Sequence, residues 1–262
     1  MSRLSGEIFE YTITRFLKET YNLSFYNRYS SKKYNKWQKK FPYKEPNMQF
    51  IDAFTNYEKI RLCPDTDGCN GSSSDLELHN RFEFVPISLK HNNISIKHPR
   101  CSSIYNHLVP SLRKEYTNNY STLNDMYFQL AQENNYASFK DFSESEKNSL
   151  YSDLKGVLFN VCKKSAESCK KIFEFCIGIH HTHQIIIKQT KGIIECYRYK
   201  PLDLKQIKIK NLSDNSFLLN ISGISLRFRI HSASSRITKK LSMKYDVKPE
   251  DIDALFEKIE DE

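Results

Sequence analysis

The residues in this chain whose types and spacing suit chemistry are an aspartate, a hydroxyl and a lysine: Asp75, then Ser88-Leu89-Lys90. Each sits beside a short strand-like run, LELH after the aspartate and FVPISLK up to the lysine. Ser88 and Lys90 are two residues apart, a spacing that keeps both side chains on one face of a sheet. A carboxylate, a neutral oxygen and an ammonium held together have the parts that phosphodiester hydrolysis needs. A divalent cation on the carboxylate neutralises charge at the phosphate and activates a water. Mg²⁺ prefers oxygen ligands and usually takes only one or two protein carboxylates. The lysine orients or deprotonates that water, or stabilises the charge that develops in the transition state. Asp75 and Ser88 are then candidate metal ligands. A second carboxylate has two candidate sources: Glu77, on the Asp75 face of its strand, and Glu10, in the first helix. Taken alone, the same residues read as a turn aspartate, a surface lysine and solvated helix charges.

These residues need a framework. Apolar Ile8, Phe9, Ile13, Phe16 and Leu17 recur at helical spacing and predict a helix from Gly6 to Tyr21 with Ser5 as its N-cap. Arg28 to Lys40 interleaves six cations with Tyr29, Tyr34 and Trp37. It reads either as a nucleic-acid surface or as a solvated basic face. Cys63 and Cys69 flank PDTDG, which is more simply a tight turn than half of a zinc site. Leu112 to Tyr127 and Phe139 to Cys176 read as helices. Ser143 to Glu146 supplies a capping signal, and Cys162, Cys169 and Cys176 fall on one helix face. From Ile177 the period changes to alternation, and strands follow with Lys-Gly, Asp-Asn and Ser-Gly turns. His180, His181 and His183 stand at the start of the first of these strands, without a carboxylate at ligand spacing. Ile224 to His231 is the clearest strand: Ile224, Leu226, Phe228 and Ile230 on one face, Arg227, Arg229 and His231 on the other. The segment from Pro249 to Glu262 reads as an acidic amphipathic helix.

Composition narrows the partners. The chain has 262 residues, 39% of them hydrophobic, enough for a packed core. A net charge of +9 favours polyanions, either nucleic acid or an anionic membrane surface. No apolar run approaches the roughly 18 residues of a membrane span. The N-terminus has no secretion-signal core, so the cytoplasm is the expected compartment. Seven Cys at irregular spacing predict reduced, buried thiols rather than a disulfide framework.

The arrangement Asp75 … Ser88-Leu89-Lys90 resembles the PD-(D/E)xK nuclease motif, with Ser88 where Glu or Asp is usual. Three islands extend the likeness: GxxFEY at Gly6 to Tyr11, SLKHNNxxxKHxR at Ser88 to Arg100, and FRIHSASS … LSMKYD at Phe228 to Asp246. In this order they resemble type II restriction endonucleases of the HaeIII-like group. The resemblance implies an α/β (α+β) fold: a restriction-endonuclease-like mixed central sheet flanked by helices, with an added C-terminal β-rich region that contacts DNA. It implies one domain over 1–262, with a catalytic hairpin and DNA-contacting segment at 72–100. A β-rich DNA-contacting region would follow at 177–247, then an acidic helix at 248–262. It also implies Mg²⁺-dependent cleavage of a short palindrome in double-stranded DNA, with Mn²⁺ able to substitute. Asp75 and Lys90 are then catalytic, Ser88 stands at the acid position and Glu10 supports them. His91, Asn92, Asn93, Lys97, His98 and Arg100 would lie near the scissile phosphate or bases. Arg227, Arg229, His231, Ser232, Ser234, Ser235, Arg236 and Lys244 would also meet DNA. The family's best-known target is GGCC, for which Arg100, Arg229 and Arg236 are candidate guanine readers. A palindrome favours a twofold dimer, and a cognate DNA methyltransferase is the expected genetic partner. The competing readings are a repair or structure-selective DNase, a non-catalytic DNA-binding protein, and a binding module stabilised by metal at its Cys and His residues.

Overall fold

The computed structural model describes residues 3–48, 54–64, 66–67, 72, 74–91, 96–178, 181–237 and 240–259. Mixed α and β elements form two compact units, each built from separate stretches of chain. The first comprises 1–94, 178–202 and 255–262, and the second 95–177 and 203–254.

Among the described residues the first unit holds a seven-stranded mixed sheet and two long helices. Its helices are α1 (Arg3–Thr20) and α2 (Arg28–Lys40). Its strands are β1 (Ser24–Phe25), β2 (Lys59–Leu62), β3 (Leu76–His79), β4 (Phe84–His91), β5 (Ile185–Thr190), β6 (Ile193–Tyr199) and β11 (Phe256–Lys258). They lie in the order β1-β2-β3-β4-β5-β6-β11, parallel at β1/β2 and β4/β5 and antiparallel elsewhere. Helix α1 begins before the expected cap, so Ser5 lies inside it. Its apolar stripe does what the spacing predicts: Phe9, Ile13, Phe16 and Leu17 are buried against Ile60, Leu76, Leu78 and Ile87 of the sheet core. Asn27 caps α2, its side chain accepting from Ser30 N at 2.9 Å. Tyr34 and Trp37 of α2 belong to the same core, so two of the three aromatics in the basic stretch pack inward.

In the second unit β7 (Ile207–Ser213), β8 (Ser216–Ile221), β9 (Ile224–Ser232) and β10 (Met243–Pro249) make an antiparallel sheet in the order β10-β9-β8-β7. Three helices accompany it: α3 (Pro110–Glu133), α4 (Glu144–Lys164) and α5 (Ala166–Ile177). The capping signal is realised. Ser143 Oγ accepts from Glu146 N, and Glu146 accepts from Ser143 N at 2.7 Å. Such a cap stabilises a helix by about 1 kcal/mol. Leu226, Phe228 and Ile230 of β9 are fully buried, each contributing about 1.5–3 kcal/mol by leaving water. The Lys191-Gly192 and Ser222-Gly223 turns have positive φ at both residues, the geometry of tight two-residue hairpins.

Four further expectations change. Cys162 lies on α4 and Cys169 and Cys176 on α5, because the helix breaks at Ser165, whose Oγ caps Ser168 N at 3.0 Å. His181 and His183 form a turn of 3-10 helix before β5 rather than part of a strand, with Gly178 at φ 101 ahead of it. The β-rich stretch 177–247 is divided: β5 and β6 join the first sheet, β7 to β10 the second. Where an acidic helix is expected over 248–262, Pro249 ends β10. One helical turn, α6 (Ile252–Leu255), then leads into β11, which pairs with β6. The pairing wins because Phe256 finds a buried partner in Tyr199, ring centroids 4.7 Å apart.

The six described cysteines are buried thiols; Cys69 lies outside the described residues. No helix among the described residues is long and apolar enough to cross a membrane.

Candidate active site

The hairpin of β3 and β4 brings the first candidates together. Leu76 pairs with Ile87, and Asp75 N donates to Ile87 O at 2.8 Å, so Asp75 sits at the mouth of the ladder beside Ser88. Its carboxylate takes the next donor itself: Oδ2 accepts Leu89 N at 2.6 Å and Ser88 Oγ at 3.4 Å. Strand β5 pairs parallel on the other side of β4, with Ser88 against Ile186 and Lys90 against Lys188. Ser88 is 1% exposed, and Asp75 and Lys90 are half-buried.

Burial dominates the electrostatics. It raises the Asp75 carboxyl above its ordinary range, against the opposing pull of Lys90, the Leu89 amide, Lys33 and Ser88. Burial likewise lowers the Lys90 ammonium, against the attraction of Asp75. Glu10, on α1, is pushed up to about 7, first by burial and then by the negative charge of Asp75. Lys33 of α2 opposes that shift, its Nζ 3.6 Å from Glu10 Oε2 and 4.6 Å from the centroid of the Trp37 ring. The Asp75 charge thus raises Glu10, and Lys33 opposes the upward shift of both acids.

Glu77 is placed differently. It is buried and receives Arg61 and His79, both at 2.9 Å, while Arg61 also holds Asp67 at 2.7 Å. These partners outweigh burial and lower its pKa. Cys63 accepts from Arg61 at 3.7 Å, and burial pushes its thiol well up. His91, at the end of β4, lies against Phe9 with ring centroids 5.5 Å apart. Asn92 and Asn93 lie outside the described residues.

The remaining candidates are in the second unit, where two distant stretches of sequence meet. Lys97 bridges to Val247 and Arg100 to Lys244, so 97–100 runs along β10. On the paired strands, His231 stands opposite Lys244, Arg229 opposite Asp246 and Arg227 opposite Lys248. Buried Asp246 is the anchor: Arg229, His98 and Lys248 approach its carboxylate at 3.3, 3.4 and 3.6 Å. Arg227 pairs with Glu250 at 2.7 Å, and Arg100 donates to Ser242 Oγ at 2.7 Å. The Lys97 ammonium lies over the Phe175 ring at 4.0 Å. His231 Nδ1 is 2.9 Å from Ser232 O, and burial, then Lys244, lowers its pKa. Ser234 closes a local turn onto the backbone of Arg236 at 3.2 Å, and the exposed Ser235 holds Phe139 through its carbonyl at 2.9 Å.

Lys33 is the site residue that sequence reasoning missed. It lay within a stretch noted for its overall charge, and nothing local ties position 33 to an aspartate at 75. Among the described residues no three His, Cys, Asp or Glu side chains gather as a metal cluster. Compared with known proteins, the chain matches no family, no curated protein and no solved structure.

Proposed function

We propose that this chain is a site-specific endonuclease that hydrolyses phosphodiester bonds of double-stranded DNA with Mg²⁺, using Asp75, Glu10, Ser88 and Lys90. The observation that carries this reading is the hairpin geometry: Asp75 Oδ2 accepts Leu89 N at 2.6 Å and Ser88 Oγ at 3.4 Å, with Lys90 two residues beyond Ser88 on the same strand. Glu10, whose proton affinity the Asp75 charge raises, is the candidate second carboxylate in a motif whose usual acid is replaced by Ser88.

The donor set suits the cation. Burial raises both carboxyls, and the Asp75 charge raises Glu10 further, so a divalent cation would relieve both, and a hydroxyl adds a neutral oxygen. Asp75, Glu10 and Ser88 would hold it, with Glu77 left to its ion pairs. The bound cation supplies charge neutralisation at the phosphate and a more acidic water. The Leu89 amide fixes the Asp75 carboxylate, and Ser88 keeps it turned toward β4. Lys90 Nζ, whose pKa burial lowers, is suited to take a proton from the attacking water. The basic strands β9 and β10 supply phosphate contacts, the commoner fate of Arg and Lys at DNA. A twofold dimer and a cognate methyltransferase are the partners expected of an enzyme that cuts a palindrome.

The test is digestion of unmethylated plasmid DNA in Mg²⁺, with the ends mapped. Ends confined to one short palindrome support the proposal. A continuous smear favours a repair-type or general nuclease, and no cutting in Mg²⁺ or Mn²⁺ removes both enzyme readings.

A further inference from the structure

Helix α2 forms a groove with the N-terminal half of α1 in the first unit. It measures about 780 Å³, and its lining includes Glu7, Glu10, Lys32, Lys33, Lys36 and Lys40. The lysines are not equivalent. Lys33 and Lys40 are engaged by Glu10 and Glu7 at 3.6 and 3.4 Å. Lys32 and Lys36 are exposed, and no carboxylate is paired with either among the described residues.

Their arrangement follows from the helix. Tyr34 and Trp37 must face the core, which fixes the rotation of α2. Positions 32, 36 and 40 then recur at i+4 along the groove side, one above another. From Lys32 to Lys40 the rise is about 12 Å, at about 1.5 Å per residue. Phosphates of one duplex strand advance about 3.4 Å along the axis, so this row spans about three to four of them. Tyr29, at the head of the row, is 47% exposed and lines the same groove. At the other side of the groove stands Glu10, the carboxylate coupled to Asp75.

We infer that this groove is a phosphate track: Lys32 and Lys36 hold the backbone of double-stranded DNA flanking the scissile bond and lead it to Glu10 and Asp75. The inference rests on the nuclease reading for what happens at the end of the track, but the binding itself is separable. Lysines that neutralise phosphates release counterions, which makes affinity fall steeply with salt.

The experiment uses the full chain and a fluorescent DNA duplex in Ca²⁺, with affinity measured over a range of salt. Two double variants of equal charge change are compared. Lys32→Ala/Lys36→Ala empties the track. Arg28→Ala/Lys39→Ala removes two cations of the same helix that do not line the groove. Thermal melting checks folding, which substitution of exposed lysines should preserve. The expected result is a slope of log affinity against log salt shallower by about 2 in the groove variant, with about tenfold weaker binding. The control pair should stay close to the wild type. Equal slopes for the two double variants would overturn the track. If the wild type binds duplex and the groove variant loses slope, yet plasmid is not cut in Mg²⁺ or Mn²⁺, the track stands and the nuclease reading falls. If the wild type binds no duplex, both fall.

Discussion

The two units use charge in opposite ways. In the first, burial opposes the charges of Asp75, Glu10 and Lys90, raising the acids and lowering the base. In the second, basic residues of β9, of β10 and of the segment beside β10 gather on a few carboxylates: Arg229, His98 and Lys248 on Asp246, Arg227 on Glu250. Groups whose charged forms are disfavoured are suited to moving protons and taking up cations. Paired surface cations suit binding, where the partner's phosphates compete with the protein's own acids. On the proposed nuclease reading, this contrast would put chemistry in the first unit and contact in the second.

The largest effect on stability should come from the anchor of the second unit. Asp246→Asn keeps shape but leaves Arg229, Lys248 and His98 around a neutral amide. It should cost about 1.5–3 kcal/mol, the usual size for hydrogen bonds to charged groups, and lower the melting temperature by several degrees. It should also strengthen duplex binding, since Arg229 no longer has a carboxylate to leave. An unchanged melting temperature would mean that the basic face is not organised around Asp246.

A smaller and opposite effect is expected at Glu10. Its folded pKa of about 7 lies above the ordinary 4.5, so between these values the folded chain keeps a proton that the unfolded chain has released. Stability therefore falls as pH rises through that window and stays lowered above it. Glu10→Gln has no proton to lose. Without divalent cations it should match the wild type near pH 4.5 and melt higher above pH 7. The gain should be about 1–2 kcal/mol, reduced because the side chain is 30% exposed and Lys33 offsets part of the cost. Parallel pH profiles for the two proteins would show that Glu10 is an ordinary surface acid.

Periodicity carried much of the fold. The stripe Phe9-Ile13-Phe16-Leu17, the alternation of β9 and the cap at Ser143 are local patterns, and each forms as its pattern predicts. The division of 177–247 between two sheets was not legible, because alternation identifies a strand but not its neighbour. The short helix and strand after Pro249 were hidden for a related reason. Ile252, Leu255, Phe256 and Ile259 fit a helical face, and only the presence of Tyr199 on β6 makes the strand preferable. At the site, Asp75, Ser88 and Lys90 were visible as an i, i+2 pair facing an aspartate. The choice between Glu77 and Glu10 was not, since it depends on Arg61 and His79 reaching the first and Lys33 the second.

The most direct test of the central claim is single-turnover cleavage of plasmid DNA in Mg²⁺ by the wild type and by Lys90→Ala, alongside duplex affinity in Ca²⁺. A general base or charge-stabilising group should be worth about 10²–10⁴ in rate, so the variant should lose cleavage by that factor and keep its affinity. Cleavage at the wild-type rate by Lys90→Ala would contradict the assignment of chemistry to the first unit.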